Sequence, residues 1–370
     1  MGSALMRTQS NLQLNLFILT FFSFLTLLAS EFALRWKDRP KSFQPKEWIR
    51  VPEETFIEHH REWGWFQKKG IQTNARVTNS TFTVTTNSEG LRGVQEYTPS
   101  TKQNKLRILI AGDSFTFGFG VEDSHTYSAQ LAAMNPNLEV LNFGVPGYGV
   151  DQIALSSLAG AKQYKPSIVI LALYPEDFWR ALRAYTDAGN AKPYFKVDTQ
   201  GKLHHYHNPV PQGKNFTISQ FPGWRETGGL SGMIWRSQLI CRFDELASKI
   251  KKKISLEDPD TSSEWRLGRV ILKNTVTNLR QTGSDVLIVL VPPIRWITGT
   301  TEPIQTSLQN FTSKNKVHFL DLTPIFKEAV AESSIENYYI RDDHHWTKTG
   351  HILVANQIYR FLIQNKMSFK

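Results

Sequence analysis

The sequence predicts an α/β protein: a three-layer αβα sandwich on a mostly parallel central sheet, of the flavodoxin-like kind, preceded by one amino-terminal transmembrane helix. Three observations predict it. Short apolar runs rich in Val, Ile and Leu recur along the chain, as strands buried on both faces require. Helix-period segments lie between those runs. Ahead of them all, the stretch from Leu12 to Ser30 carries no charged side chain.

Taken in order, that uncharged stretch comes first. At ~1.5 Å of rise per residue, about 19 residues give roughly 28 Å of helix, close to the hydrocarbon thickness of a bilayer. The span is assigned to 12–33 and the anchoring segment to 1–36. A cleaved signal peptide fits less well, because the run is long for an h-region and Leu28 stands where cleavage after Ser30 would want a small side chain. Arg7 precedes the span whereas Arg35, Lys37, Arg39 and Lys41 follow it, which by the positive-inside rule alone argues for a cytoplasmic body.

Residues 37–100 read as a β-rich lead-in, in which "ARVTNSTFTVTTNSEGLRG" alternates like a hairpin and ends in a turn at Asn87 to Gly90. The main domain, 101–370, then alternates strands and helices. "LRILIAG" (106–112) is followed by a helical stretch near Tyr127 to Met134, "LEVLNFG" (138–144) by a helix from about Asp151 to Tyr164, and "SIVILALY" spans 167–174. The pattern resumes with "VLIVLVPP" (286–293), "VHFLDLT" (317–323) and a closing helix from Gly350 to about Ile363. Between them, at about 190–262, periodicity lapses into segments such as "KPYF", "HHYHNPVPQ" and "PGWRETGG", which read as an insertion of substrate-shaping loops.

Composition narrows the classes. The single Cys241 excludes an internal disulfide and a cysteine-based zinc cluster. The net charge of +10 favours anionic surfaces. Its densest cluster, "SKIKKKISLED" from Ser248, lacks interleaved aromatics and reads as a solvated helix end, so nucleic acid is not expected as a partner.

In open parallel sheets, ligands bind beyond the carboxyl ends of the strands, and Ser114 stands at such an end in "AGDSFTFGFG". A serine hydroxyl needs an imidazole to take its proton and a carboxylate to orient that imidazole. The far end of the chain supplies both in "RDDHHWTKTGH", with Asp342, Asp343, His344, His345 and His351. Glycine turns with exposed backbone N–H groups suit an oxyanion, and "NFGVPGYG" offers Gly144, Gly147 and Gly149.

Blander readings stand beside these. Asp113 and Ser114 are both suited to capping the next helix. The terminal Asp/His cluster could ligate zinc or iron, but a metal leaves Ser114 without a role, and none is expected. "HHYHNP" (204–209) reads as a polar loop. Gly118 and Gly120 lack the Lys-Ser/Thr pair of a phosphate loop. Trp179, Trp224 and Trp235 could stack on sugar rings, although most such side chains serve as core or loop anchors.

These blocks resemble the SGNH, or GDSL-type, esterase and lipase superfamily, from about Thr86 to Gln357. "GDSFTFGFGV" looks like its first block, "NFGVPGYG" like its second and "DDHHWTKTGH" like its last, with "ALYPEDF" in the third position. The resemblance implies Ser114 as nucleophile and oxyanion donor, Gly147 as second donor, His345 as base and Asp343 as orienting acid, with no cofactor. Asp342, three residues before His345, is the alternative acid. It also implies a body outside the cytoplasm, which overrides the charge count. The chain departs from the pattern at Glu176, where the family places an Asn that donates to the oxyanion. A carboxylate there would repel the oxyanion, so Glu176 is expected to turn away, leaving two backbone donors or the Asn142 amide. The function implied is a membrane-anchored esterase removing acyl groups, acetyl foremost, from an envelope carbohydrate or another ester. The alternatives are an O-acyltransferase modifying an exopolysaccharide and a binding protein that has lost catalysis.

Overall fold

A computed structural model of the chain describes residues 56–78, 80–99, 105–186, 190–212, 262–299 and 303–367, and before them residues 15, 18–23, 25–27, 29 and 30. Two compact units divide the chain: 1–45 with 221–256, and 46–220 with 257–370. In the first unit the described residues are helical, and Ile18, Leu19, Phe21, Phe22, Leu25 and Leu27 are exposed. Among the described residues no helix is long and apolar enough to cross a membrane. Part of the expected span 12–33 lies outside them, as do Cys241, Trp224, Trp235 and the lysine cluster from Ser248.

The second unit begins with two antiparallel hairpins. β1 (Ile57–His60) pairs with β2 (Gly64–Gln67), and β3 (Gln72–Val77) with β4 (Ser80–Thr85). The expected turn follows, with the Gly90 N–H donating to Asn87 O.

Five parallel strands form the central sheet: β5 (Leu106–Gly112), β6 (Leu138–Gly144), β7 (Ile168–Leu173), β10 (Asp285–Leu290) and β11 (His318–Asp321). Their spatial order is β6-β5-β7-β10-β11. The second strand thus lies outside the first, and the third pairs with the first on its other side. That is the doubly wound order whose switch point falls between β5 and β7.

Alternate residues of each strand face opposite layers. Leu109, Ala111, Leu171 and Ile288 pack against α3 (Val150–Tyr164), α5 (Ser263–Gln281) and α7 (Pro303–Lys314). Ile108, Ile110, Ile170 and Val289 pack against α2 (Tyr127–Ala133), α8 (Thr323–Ala331) and α9 (Lys348–Gln364). Three layers follow directly from the unbroken apolar runs, since a strand with one polar face could not be covered twice. Truncating a fully buried Ile or Leu here to Ala would cost about 2–5 kcal/mol.

The remaining elements are short: α1 (Ser114–Phe117), α4 (Pro175–Arg180) and α6 (Ile294–Ile297), each just beyond a sheet strand, and the hairpin β8 (Tyr194–Val197) with β9 (Leu203–Tyr206). The first half of "HHYHNP", His204 to Tyr206, is therefore strand, and the expected loop holds only for 207–209. His204 pairs with Asp198, His205 stacks on Phe195, and His207 Nδ1 lies 2.9 Å from Lys192 O. These are hairpin contacts that a local count of polar residues misses. The insertion's residues 213–261 lie outside the described ones.

Candidate active site

β5 ends on Gly112, and the chain turns at once into α1. Asp113 caps that helix, its Oδ1 accepting the Phe115 N–H at 3.0 Å. The capping role therefore falls to Asp113, and Ser114 is left as the first helical residue. The turn is tight: β6 runs beside β5 with Gly144 opposite Gly112, and a Cβ on Gly144 would stand 2.1 Å from Phe117 N. Only glycine lets α1 sit that close to the sheet.

The imidazole comes from the loop before α9. Ile340 and His345 close this loop, with the Ile340 N–H donating to His345 O at 2.7 Å. Inside it, Asp342 and His344 have left-handed φ values of 65° and 78°. Trp346 anchors it from behind, buried against Phe115 and Phe326.

The two ends of the chain meet here. Ser114 Oγ lies 2.7 Å from His345 Nε2, and His345 Nδ1 lies 2.5 Å from Asp343 Oδ1. The His345 backbone N–H also donates to Asp343 Oδ1, at 3.2 Å. Asp342 is exposed and takes no part in this line. Burial works against charge on Asp343, but its hydrogen bonds to His345 hold the carboxyl below the usual aspartate range. Phe115 and Phe119 flank the imidazole, with ring centroids at 4.9 and 5.0 Å. Ser114 is 8% exposed, so the hydroxyl is shielded yet reachable.

The loop after β6 is tied down on several sides. Val145 N–H donates to Gly112 O at 3.1 Å, the Trp65 indole donates to Pro146 O at 3.0 Å, and the Tyr148 hydroxyl donates to Trp65 O at 2.5 Å. Gly147 stands exposed within it at φ 79°, a left-handed value that favours glycine. Among the described residues, the backbone N–H groups of Ser114 and Gly147 have no hydrogen-bond acceptor. Ser114 opens α1 and Gly147 lies in the loop after β6, both at the carboxyl edge of the sheet.

Glu176 is turned toward Arg295, whose Nη1 donates to Glu176 Oε1 at 2.6 Å, while Oε2 is buried with no partner among the described residues. The Asn142 amide is no substitute donor: its Nδ2 donates to Thr116 O at 2.9 Å and Ser128 Oγ at 2.8 Å. The Asn142 alternative to two backbone donors therefore fails, because that amide is spent on bracing α1. His351 is also apart from the line, buried, with Nδ1 accepting the Tyr127 N–H at 3.2 Å. Among the described residues no group of three His, Cys, Asp or Glu side chains could hold a metal ion. Trp179 is 48% exposed, with the Arg183 guanidinium 3.4 Å over its ring.

Sequence reasoning missed Arg180 and Arg295. Arg180 Nη1 reaches Asp113, Tyr148 O and Asp177. A weak signal existed for the first: Asp177 and Arg180 are spaced i, i+3 on a helix opening with Pro175. Arg295 had none, since its partner is distant in sequence.

No family model matches the chain, and no curated protein matches it. Several solved structures are similar to it. One is a catalytic mutant of Axe2, an acetylxylan esterase from Geobacillus stearothermophilus: 14% identical, covering 73% of this chain and 98% of that one, with a TM-score of 0.40. Another is the acetyl xylan esterase AlAXEase, at 14% identity, 69% and 98% coverage and a TM-score of 0.40. A third, a member of the lipolytic protein G-D-S-L family from Veillonella parvula DSM 2008, is 13% identical, with 70% and 97% coverage and a TM-score of 0.39. At such values the likeness decides no activity, and the chemistry is read from the chain's own geometry.

Proposed function

We propose that this chain is a membrane-anchored serine esterase of the SGNH type, removing acyl groups, acetyl foremost, from an envelope carbohydrate or another ester. The observation that carries the reading is the continuous line from Asp343 through His345 to Ser114, at 2.5 and 2.7 Å. A neutral imidazole that donates Nδ1–H to Asp343 has Nε2 free to accept the serine proton.

His345 takes that proton as Ser114 Oγ bonds to the ester carbonyl carbon, and the carbonyl electron pair moves onto oxygen. The unpaired N–H groups of Ser114 and Gly147 are suited to stabilise that oxygen. When the pair returns, the bond to the alcohol oxygen breaks and His345 gives the alcohol its proton. Water then repeats the sequence on the acyl-serine and releases the acid. With a sugar hydroxyl in place of water, the same steps transfer the acyl group, which is the O-acyltransferase alternative.

The substrate class and the placement outside the cytoplasm follow from the sequence resemblance. The anchor over 12–33 is supported by its uncharged apolar run and by the exposed apolar side chains of its described helical residues. Glu176 argues less for lost catalysis once Arg295 balances its charge.

Activity-based labelling with a fluorophosphonate, beside hydrolysis of 4-nitrophenyl acetate, tests the reading. The wild type is expected to label and to turn over, and Ser114→Ala to do neither. An unlabelled, inactive wild type, or labelling that survives Ser114→Ala, would sink it. Product analysis with an acceptor glycan separates hydrolysis from transfer.

A further inference from the structure

Three segments leave the carboxyl ends of β5, β6 and β7, and one guanidinium nitrogen, on α4 after β7, touches all three. Arg180 Nη1 lies 3.1 Å from Asp113 Oδ2, 3.0 Å from Tyr148 O and 2.6 Å from Asp177 Oδ1. The Asp113 and Asp177 side chains are 2% and 0% exposed, and Arg180 is 28% exposed. Each contact is one residue from a group singled out at the site. Asp113 precedes Ser114, Tyr148 follows Gly147, and Asp177 follows Glu176. Asp177 also fixes the start of α4, its Oδ2 accepting the Tyr174 N–H at 2.8 Å.

The electrostatics fit a brace that is also a counter-charge. Burial, and then Asp113, push the Asp177 pKa well above its usual value, with Arg180 opposing them. Burial likewise works against the Arg180 charge, but Asp177 and Asp113 keep its pKa above the ordinary arginine value. Removing the cation would leave the Asp113 carboxylate without its counter-charge beside the nucleophile, whatever proton Asp177 takes up. Negative charge there opposes an oxyanion forming on the same rim.

We propose that Arg180 is a positioning residue for ester hydrolysis, setting the spacing of the Ser114 and Gly147 N–H groups and cancelling carboxylate charge next to them. This rests on the serine-esterase reading above. Arg180 acts through the loops and not on the ester. An electrostatic and geometric role of this kind is spent on the transition state, so its loss lowers kcat and leaves KM nearly unchanged.

Steady-state kinetics of the full-length chain with 4-nitrophenyl acetate, for the wild type, Arg180→Ala and Arg180→Lys, test this. Arg180→Ala is expected to lose about 10²–10³ in kcat, the scale of one oxyanion donor, with KM within about threefold. Because Arg180 is partly exposed, added methylguanidinium should restore part of the loss saturably in Arg180→Ala while leaving the wild type unchanged. Arg180→Lys keeps the cation and should fall between the two. Should the alanine variant fail to fold, the lysine variant reads the same split, with a fall in kcat at constant KM. A folded Arg180→Ala within about threefold of wild-type kcat, or a loss carried by KM without rescue, overturns the proposal. Those outcomes leave wild-type turnover and Ser114 labelling intact, whereas failure of the esterase reading abolishes both.

Discussion

At the scale of single residues, the site depends on how neighbours divide the work. Asp113 caps α1 and frees Ser114 from that duty. Asp343, not Asp342, holds the imidazole, because its short side chain folds back onto both the backbone N–H and Nδ1 of His345. The left-handed Asp342 and His344 on either side make that compact turn possible, and such strain is common where geometry serves chemistry. Glu176 is the residue whose chemistry fits worst. Two like charges at ~4 Å and an effective dielectric near 20 repel by about 4 kcal/mol, but the Arg295 contact at 2.6 Å offsets most of its field. Replacing Glu176 by Asn removes the residual charge and offers a third donor, so kcat toward 4-nitrophenyl acetate should rise, by at most about 10²–10³-fold, the worth of one donor. A slower Glu176→Asn enzyme would contradict the two-donor account.

Between elements, buried polar groups decide which pieces move together. Arg92, its side chain 1% exposed, joins β4 to the loop after α1 by donating to Thr83 O at 2.8 Å, Val121 O at 2.9 Å and the Asp123 carboxylate. His351 joins α9 to the first turn of α2 through the Tyr127 N–H. Its full burial, helped by the nearby charges of Arg92, His345 and His125, lowers its pKa to about 3. Stability therefore depends on pH in a defined direction. Above about pH 6.5 the group is neutral in both the folded and unfolded chains and contributes no pH dependence. As pH falls from there toward 3, only the unfolded chain takes up the proton, and on the order of a few kcal/mol of stability is lost. Melting temperature should drop across that window, and His351→Gln, which keeps an acceptor for Tyr127, should flatten the slope. Equal slopes in the two proteins would remove His351 from the explanation.

For the molecule as a whole, the anchor and the body are separable propositions. Residues 1–45 fall in a different compact unit from the sheet and the Ser114 site. A chain lacking 1–36 should leave the membrane fraction while retaining esterase activity within about twofold, measured by carbonate extraction and ester hydrolysis, since burial of an apolar helix in lipid is independent of the triad. Retention of the shortened chain in membranes would point to another attachment. The sequence by itself determined the layered α/β class, since continuous apolar runs admit only a sheet covered on both faces. It also determined the strand ends that carry Ser114 and Gly147, because backbone chemistry there is local. Helices α5, α7 and α8 were not among the expected elements, although each carries the helical period on one face, as Trp265, Leu272, Val276 and Leu279 of α5 show. Tertiary structure alone decided that Asp343 orients His345, that Asn142 is occupied, and that Arg180 and Arg295 enter the site. Each of those outcomes is a choice of partner across long sequence separations or between two adjacent side chains, and only the folded geometry supplies the distances that make one partner win.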